Sequence, residues 1–192
     1  MMEIEVRAFI GSANEFKKRL RKLGAKFKAK QRIIDYYFCN RSKTSFKQVC
    51  QHKAGSHSLR IRKIIENGRE TAELNCKTLE RTGDHQSFNE YETKVGDFNQ
   101  ARLILEKSGL KVFCKIDKIR EVYKLGNCAI NIEDIKGYKP AVELEILSNK
   151  NIEARKAAMN ALLNKLGIDE KNKIATSITN VYMNTFAFKQ HC

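Results

Sequence analysis

Acidic side chains alternate with apolar ones near the start of the sequence and again near residue 145. Glu3 and Glu5 form one E-x-E pair, Glu143 and Glu145 form another, and Glu133 lies shortly before the second pair. Residues two apart on a β-strand point to the same side, so each pair presents two carboxylates to one space. Mg²⁺ and Mn²⁺ prefer oxygen ligands of this kind. These five glutamates therefore predict a divalent-metal site.

Basic side chains have the same spacing elsewhere in the chain. Arg60 and Arg62 form R-x-R, and Lys118 and Arg120 form K-x-R. The guanidinium group can bind two phosphate oxygens at once. Carboxylates that hold a metal beside several cations are typical of enzymes that act on polyphosphates. One such pair is common on a solvated strand face, but the repetition along the chain favours a shared site.

Charged and polar residues occupy every second position through most of the predicted strands. The set comprises Glu3, Glu5, Arg7, Arg60, Arg62, Glu73, Asn75, Lys77, Glu90, Glu92, Lys94, Lys118, Arg120, Asn131, Glu133, Glu143 and Glu145. The residues between them are largely apolar, and the predicted helices carry apolar stripes that these strand faces can bury. We therefore predict that the charges face the interior. There they must pair, stay hydrated or hold a polyvalent ligand, because burying an ion costs several kcal/mol.

The alternation predicts eight strands, joined mainly by short turns. After the opening strand they cover residues 32–38, 58–65, 71–79, 88–95, 112–124 with a break near Asp117, 127–135 and 141–147. Antiparallel strands in sequence with few helices predict an α+β fold, an eight-stranded antiparallel β-barrel with a charged interior and helices packed outside. We expect one domain over residues 1–192, with a helical tail over 151–192.

The spacing of apolar residues, with capping residues at the helix ends, predicts four helices. They begin near Ser12, Asp97, Ile152 and Lys173. Residues 39–57 are predicted to form one long polar loop, which is either a mobile lid over a site or a solvated insertion.

Composition and net charge indicate which kinds of partner and which cellular compartment to expect. The formal net charge is +15, which favours an anionic partner such as a phosphorylated molecule or nucleic acid. No apolar run is long enough to cross a bilayer, and the start shows no signal peptide, so we expect a cytoplasmic protein with no membrane partner. The six cysteines should then be reduced thiols. A zinc set of Cys50, His52 and His57 is irregular and incomplete.

In their order along the chain, these motifs resemble the CYTH family, or triphosphate tunnel metalloenzymes. The family includes class IV adenylyl cyclases, thiamine triphosphatases and inorganic triphosphatases. Its E-x-E-x-K motif corresponds here to Glu3-Ile4-Glu5-Val6-Arg7. The other matching stretches are IIDYYF, SLRIRK, AELNCK, EYE, KIR and INIEDIKGYKPAVELEI. The resemblance implies a tunnel that takes the triphosphate of a substrate, with Mg²⁺ or Mn²⁺ bound by the E-x-E carboxylates.

By position, the resemblance implies three groups of site residues. The metal ligands would be Glu3, Glu5, Glu143 and Glu145, assisted by Glu133; the phosphate ligands would be Arg7, Arg60, Arg62, Lys77, Lys118 and Arg120; and the supporting residues would be Glu90, Glu92 and Lys94.

Three positions depart from the family pattern. Arg7 replaces a lysine, which keeps the charge but removes a group that titrates, so it should position phosphate rather than transfer protons. Phe88 lies where many relatives have an arginine, so we expect one phosphate contact fewer. Gly137-Tyr138-Lys139-Pro140 replaces a Gly-Leu-Gly turn near the tunnel mouth, where the base or leaving group would be recognised.

The resemblance leaves three functions open. A class IV adenylyl cyclase that converts ATP to cyclic AMP and pyrophosphate is favoured, because the compact archaeal-type members are most similar in length and strand spacing. A triphosphatase acting on inorganic triphosphate, thiamine triphosphate or nucleotides is the alternative. The third is a module that binds polyphosphate or RNA 5′-triphosphate ends without turnover; other nucleic acid is not expected. Homodimers occur in the family. Without tryptophan, a base could stack on Tyr36, Tyr37 or Tyr138.

Overall fold

The computed structural model describes residues 2–148, 150–176 and 178–188. Eight antiparallel strands form a closed barrel in the spatial order β1-β5-β4-β3-β2-β6-β7-β8. The strands are β1 Met2–Phe9, β2 Lys26–Asn40, β3 His57–Glu66, β4 Arg69–Leu79, β5 Ser87–Val95, β6 Leu110–Leu125, β7 Cys128–Ile135 and β8 Ala141–Leu147. The helices are α1 Ala13–Lys22, α2 Phe46–Val49, α3 Phe98–Lys107, α4 Ile152–Lys165 and α5 Ile178–Phe186, with a 3₁₀ turn at Glu170–Asn172. The predicted α+β barrel is confirmed.

The apolar faces of three neighbouring strands point outward and are covered by helices. α1 and α4 pack on β1, β7 and β8, and the buried cluster there includes Val6, Leu20, Ile130, Leu144 and Leu163. The start of α1 is fixed by the side chain of Ser12, which accepts a hydrogen bond from the N–H of Glu15. The outer cover allows the other strand face to be polar.

Two predicted details are corrected. The predicted break near Asp117 is wrong: β6 runs through this position, and the Asp117 carboxylate accepts two hydrogen bonds from Arg32 of the neighbouring strand, at 3.0 and 2.7 Å. The polar stretch 39–57 is not one loop, since β2 extends to Asn40 and α2 lies within it.

The sequence predicts a helix from about Lys173, but residues 173–176 are not helical. β1 pairs with β5 only at its start, over Met2–Ile4. Further along β1, Lys173 forms a bridge with Ala8, and the N–H of Ile174 donates to the carbonyl oxygen of Arg7 at 2.9 Å. The segment therefore satisfies backbone groups of β1 that β5 leaves unpaired, and the helix begins only at Ile178.

α5 fills one end of the barrel. Tyr182, Met183 and Ala187 pack in an apolar cluster with strand residues that include Tyr37, Ile116, Ile135 and Ala141. The interior is thus charged along the tunnel but apolar at this end, a change that the alternating pattern did not show.

The predictions on the cysteines and on the C-terminal tail include residues that lie outside the described ranges. Cys39, Cys50, Cys76, Cys114 and Cys128 are free, as expected, and Cys192 lies outside the described residues. The predicted tail 151–192 is helical in α4 and α5, and positions 177 and 189–192 lie outside that description. Within the described ranges, no helix combines the length and apolar character that a membrane span requires.

Candidate functional site

The inward-facing side chains surround a cavity of about 240 Å³ inside the barrel. Twelve of the fourteen predicted site residues line it; the other two are Glu133 and Lys94. Glu133 is fully buried beside the cavity lining, and Lys94 lies further out. The structure therefore brings most of the predicted metal and phosphate ligands into one space.

Three glutamates form an acidic cluster in this cavity. The β1–β8 register places Glu5 opposite Glu145, and Glu3 lies two residues before Glu5 on the same strand face. Each offers a carboxylate oxygen, and these oxygens lie within 4.8 Å of one another. The ammonium group of Lys77 donates hydrogen bonds to both Glu3 and Glu5. A cationic group thus already contacts these carboxylates, and the all-oxygen donor set fits Mg²⁺ or Mn²⁺.

Two carboxyls of this cluster, Glu145 and Glu3, have pKa values shifted in opposite directions. Burial, together with the negative charges of Glu143 and Glu3, raises the pKa of Glu145 to about 8. For Glu3, burial acts in the same direction, but the charge of Lys77 outweighs it and lowers the pKa. At neutral pH, Glu145 therefore holds a proton that a bound dication would have to displace.

The remaining two predicted metal ligands contact cations instead of joining the cluster. Glu143 accepts a hydrogen bond from Nε of Arg7 at 2.9 Å, and Glu133 accepts from Nζ of Lys118 at 2.6 Å. Arg120 also donates to Glu133. Strand register explains both arrangements, because Arg7 lies opposite Glu143 and Arg120 lies opposite Glu133. Both glutamates thereby hold phosphate-binding candidates in place.

Asp35 is a buried charge for which sequence reasoning gave no role. It is 0% exposed and accepts two hydrogen bonds from Arg62, at 2.7 and 3.0 Å. Burial opposes its ionisation, but Arg62 and Arg60 together hold its pKa well below the usual range. A single acid within the apolar stretch IIDYYF was the available signal. Its partner on the next strand could not be identified without the register.

The other cations of the cavity are also held by polar partners. Arg60 lies 3.6 Å from Glu90 and donates to Asn75 at 3.3 Å. Burial lowers the pKa of Lys118 to about 8, although the charge of Glu133 partly offsets this effect. Glu92, predicted as a supporting residue, lines the cavity and accepts a hydrogen bond from Asn75.

Phe88 supports two cations. The ring is 1% exposed, and its centroid lies 5.6 Å from the Arg7 guanidinium carbon and 5.7 Å from Nζ of Lys77. Both distances are typical of cation–π contacts. The aromatic residue therefore does not add a phosphate ligand, but it contacts two of the predicted ones.

A second cavity of about 610 Å³ continues from the tunnel. It shares Gln31, Ile64 and Glu73 with the tunnel lining and extends past the exposed residues Arg69 and Lys94. We call this second cavity the vestibule. It gives room beside the tunnel for a group larger than phosphate.

The three tyrosines considered for stacking lie in different places. Tyr37 lines the tunnel. Tyr36 packs on Phe98 of α3, with ring centroids 5.4 Å apart, and Tyr138 packs on Phe9 at 5.8 Å. None of the three is among the residues that line the vestibule.

Two further cavity-lining residues, Gln51 and Tyr182, come from segments without strand alternation. Gln51 lies just after α2 and is 2% exposed, and Tyr182 belongs to α5. No periodic signal could have found Gln51. Tyr182 occurs in an apolar helical stripe, which predicts packing rather than a place in the site.

Comparison with known proteins identifies relatives over most of the chain. The family model described as the CYTH domain matches residues 1–178. A Methanocaldococcus jannaschii protein, MJ0240, whose name gives adenylate cyclase as a provisional activity, is 31% identical over 145 residues. That alignment covers 76% of this chain and 77% of the relative.

Solved structures show the same fold. PH1012 from Pyrococcus horikoshii OT3 superposes with a TM-score of 0.75 at 24% identity, over 91% of this chain and 95% of that one. HpAC1 from Hippeastrum, described as a provisional adenylyl cyclase with a dominant triphosphatase activity, has a TM-score of 0.63 at 14% identity. The superposition covers 96% of this chain and 94% of HpAC1.

Replacing Asp35→Asn should destabilise the protein by about 3 kcal/mol, because it leaves the Arg62 charge buried without its partner. The matched control is Asp117→Asn, whose Arg32 partner is 52% exposed, and we expect a loss below about 1 kcal/mol. Urea unfolding at pH 7 measures both. Since the folded-state pKa of Asp35 is depressed, its contribution is present at neutral pH and is lost as pH falls below about 4. Equal losses for the two variants would contradict this assignment.

Binding of Mn²⁺ should release about one proton at pH 7, because the pKa of Glu145 is about 8 and the metal needs the carboxylate. The apparent affinity should rise by up to about tenfold per pH unit below pH 8 and then level off. Calorimetry in two buffers of different ionisation enthalpy measures the released proton. Glu145→Gln should bind Mn²⁺ more weakly and without proton release; proton release that persists in this variant would show that another group titrates.

Proposed function

The chain belongs to the CYTH family, and from this premise we propose that it is a divalent-metal-dependent enzyme acting on a nucleoside triphosphate. The observation that carries the proposal is the meeting of two charge groups in one enclosed cavity. The acidic cluster of Glu3, Glu5 and Glu145 supports a metal site. The arginines and lysines around the same cavity support binding of a phosphate chain.

The bound substrate would change the partners of these charges. Lys77, which donates to Glu3 and Glu5, would instead donate to phosphate oxygens. Arg7 and Arg120 both lie near Glu143, so their guanidinium groups could bind the phosphate chain together. Mg²⁺ or Mn²⁺, when bound by the cluster, would supply Lewis acidity and orient the phosphate chain. The protein's own contribution is alignment and charge neutralisation by groups that already have fixed positions.

We propose cyclisation of ATP as the reaction. The name of the 31% identical relative supports an adenylate cyclase, and the vestibule supports a substrate with a bulky group attached to its triphosphate. With the nucleoside in the vestibule, the α-phosphorus would lie nearest to it. The ribose 3′-oxygen would form a bond to this phosphorus and lose its proton to solvent, and the bond to the bridging oxygen of the β-phosphate would break. Cyclic AMP and pyrophosphate would leave.

Hydrolysis is the second candidate reaction. It is favoured by the lining of the vestibule, where none of the residues is aromatic, and by the fold shared with the Hippeastrum protein described as having triphosphatase activity. Water would then attack the terminal phosphorus of a nucleotide, inorganic triphosphate or thiamine triphosphate, and the bond from this phosphorus to its bridging oxygen would break. Orthophosphate and the remaining diphosphate would leave, with the proton of the water passing to solvent. Binding of polyphosphate or RNA 5′ ends without turnover, a cytoplasmic location and a homodimer stay predictions.

The test is ³¹P NMR of ATP, and separately of inorganic triphosphate, with the protein and Mg²⁺ or Mn²⁺. We expect pyrophosphate and a cyclic-nucleotide signal from ATP. The variant with both Glu3→Gln and Glu5→Gln should lose at least about a hundredfold in rate while keeping its fold by circular dichroism. Glu15→Gln, at the exposed first turn of α1, is the matched control and should keep the wild-type rate.

Each other product pattern has a distinct meaning. Orthophosphate and ADP from ATP, or pyrophosphate and orthophosphate from triphosphate, would show that the reaction is hydrolysis and not cyclisation. Metal-dependent binding of both compounds without turnover would overturn the enzyme proposal in favour of a binding module. An unchanged rate in the double glutamine variant would contradict the assigned metal site.

A further inference from the structure

Tyr182 carries a buried hydroxyl for which the described part of the chain supplies no hydrogen-bond partner. The residue is 1% exposed and is among those that line the tunnel cavity. An unpaired buried hydroxyl costs free energy, and such groups in folded proteins usually serve a ligand or bind water.

The helix that carries Tyr182 is held firmly against the barrel. The side chain of Asn180 accepts a hydrogen bond from the N–H of Gln51 at 3.2 Å and donates to the carbonyl oxygen of Gln51 at 3.0 Å. Gln51 in turn donates from Nε2 to the carbonyl oxygen of Lys77 at 3.0 Å. This chain of contacts joins α5, the segment after α2 and strand β4. The Tyr182 ring therefore has a fixed position rather than a chance orientation.

Aromatic neighbours that pack on the Tyr182 ring restrict its position further. The ring meets Tyr138 edge-on, with centroids 5.6 Å apart, inside the apolar cluster that fills this end of the barrel. The tunnel-lining residue Tyr37 belongs to the same cluster. The hydroxyl thus marks the boundary between the apolar end of the barrel and the charged tunnel.

The hydroxyl is protonated at neutral pH, because the pKa of an ordinary tyrosine is about 10. Burial raises the pKa of Tyr182, and the negative charges of Glu133 and Glu143 raise it further. A neutral phenol is a hydrogen-bond donor that adds no charge to the tunnel. Phosphate oxygens accept such hydrogen bonds strongly, because the acceptor is charged.

We propose that the Tyr182 hydroxyl is a substrate-binding group that donates a hydrogen bond to an oxygen at the innermost phosphate of the bound triphosphate. α5 then limits how far the phosphate chain enters the tunnel, and the hydroxyl recognises its end. This inference rests on the proposed function only in requiring that a triphosphate binds in the tunnel; it does not depend on which bond is cleaved.

The experiment compares Tyr182→Phe with wild type by two measurements. The first is the melting temperature without ligand, which should be unchanged or a few degrees higher, because the variant removes only an unpaired hydroxyl. The second is calorimetric binding, with Mn²⁺, of a triphosphate analogue whose bridging oxygens are replaced by methylene groups. The variant should bind roughly tenfold to a hundredfold more weakly, as for loss of a hydrogen bond to a charged group.

Tyr123→Phe is the matched control. Tyr123 is also 1% exposed, but its hydroxyl donates to Glu121 at 3.4 Å and it does not line the tunnel. This variant should bind the analogue as wild type does.

Two results would overturn the inference. A melting temperature several degrees below wild type in Tyr182→Phe, with unchanged affinity, would show a structural hydroxyl, for instance one joined through water to the unpartnered Glu133 oxygen. Unchanged affinity at unchanged stability would show a hydroxyl without a role. If the analogue binds as expected but ATP and triphosphate are not turned over, the proposed function fails and the role of Tyr182 in binding stands.

Discussion

The balance of buried charge inside a closed barrel is the constraint on which the rest of the structure depends. Each ion removed from water costs several kcal/mol unless a partner compensates for it. Arg62 is compensated by Asp35, Arg120 by Glu133 and Arg7 by Glu143. Lys77 contacts Glu3 and Glu5. Glu145 is buried beside Glu143 and Glu3 with too little positive charge to compensate, which raises its pKa to about 8.

This pattern of pairing would allow one cavity to take both a dication and a polyanion, as proposed for this protein. In the absence of substrate, carboxylates and cations neutralise one another, so the barrel is stable with its charges buried. When a metal and a triphosphate enter together, the carboxylates would take the metal and the cations would take the phosphates, so each added charge would meet a partner of opposite sign. The cost of separating the protein's own pairs is then offset by equivalent new pairs, with geometry already set by the strands. The outer helices are equally necessary, because they bury the apolar strand faces that would otherwise lie in water.

The sequence predicts the strands and their inward faces well, because a period of two is a local property of each strand. It therefore identifies Glu3, Glu5, Glu145 and most of the cations as occupants of one space. It does not predict which acid meets which base, since pairing such as Asp35 with Arg62 depends on register between strands that are distant in sequence. Gln51 and Tyr182 come from segments with no strand pattern, and their approach to the tunnel depends on contacts of α5 with the barrel. From the sequence, Phe88 predicts the loss of one phosphate ligand, whereas in the structure its ring makes cation–π contacts with Arg7 and Lys77.

The most direct test of the account is a crystal structure with Mn²⁺ and a non-hydrolysable ATP analogue, measured with the anomalous scattering of manganese. We expect an anomalous peak at about 2.2 Å from oxygens of Glu3, Glu5 and Glu145, a distance ordinary for hard-cation coordination. The ammonium of Lys77 should have moved from the two glutamates to a phosphate oxygen. A manganese peak elsewhere, or Lys77 still bound to Glu3 and Glu5 with the analogue present, would contradict the exchange of charge partners proposed for this tunnel.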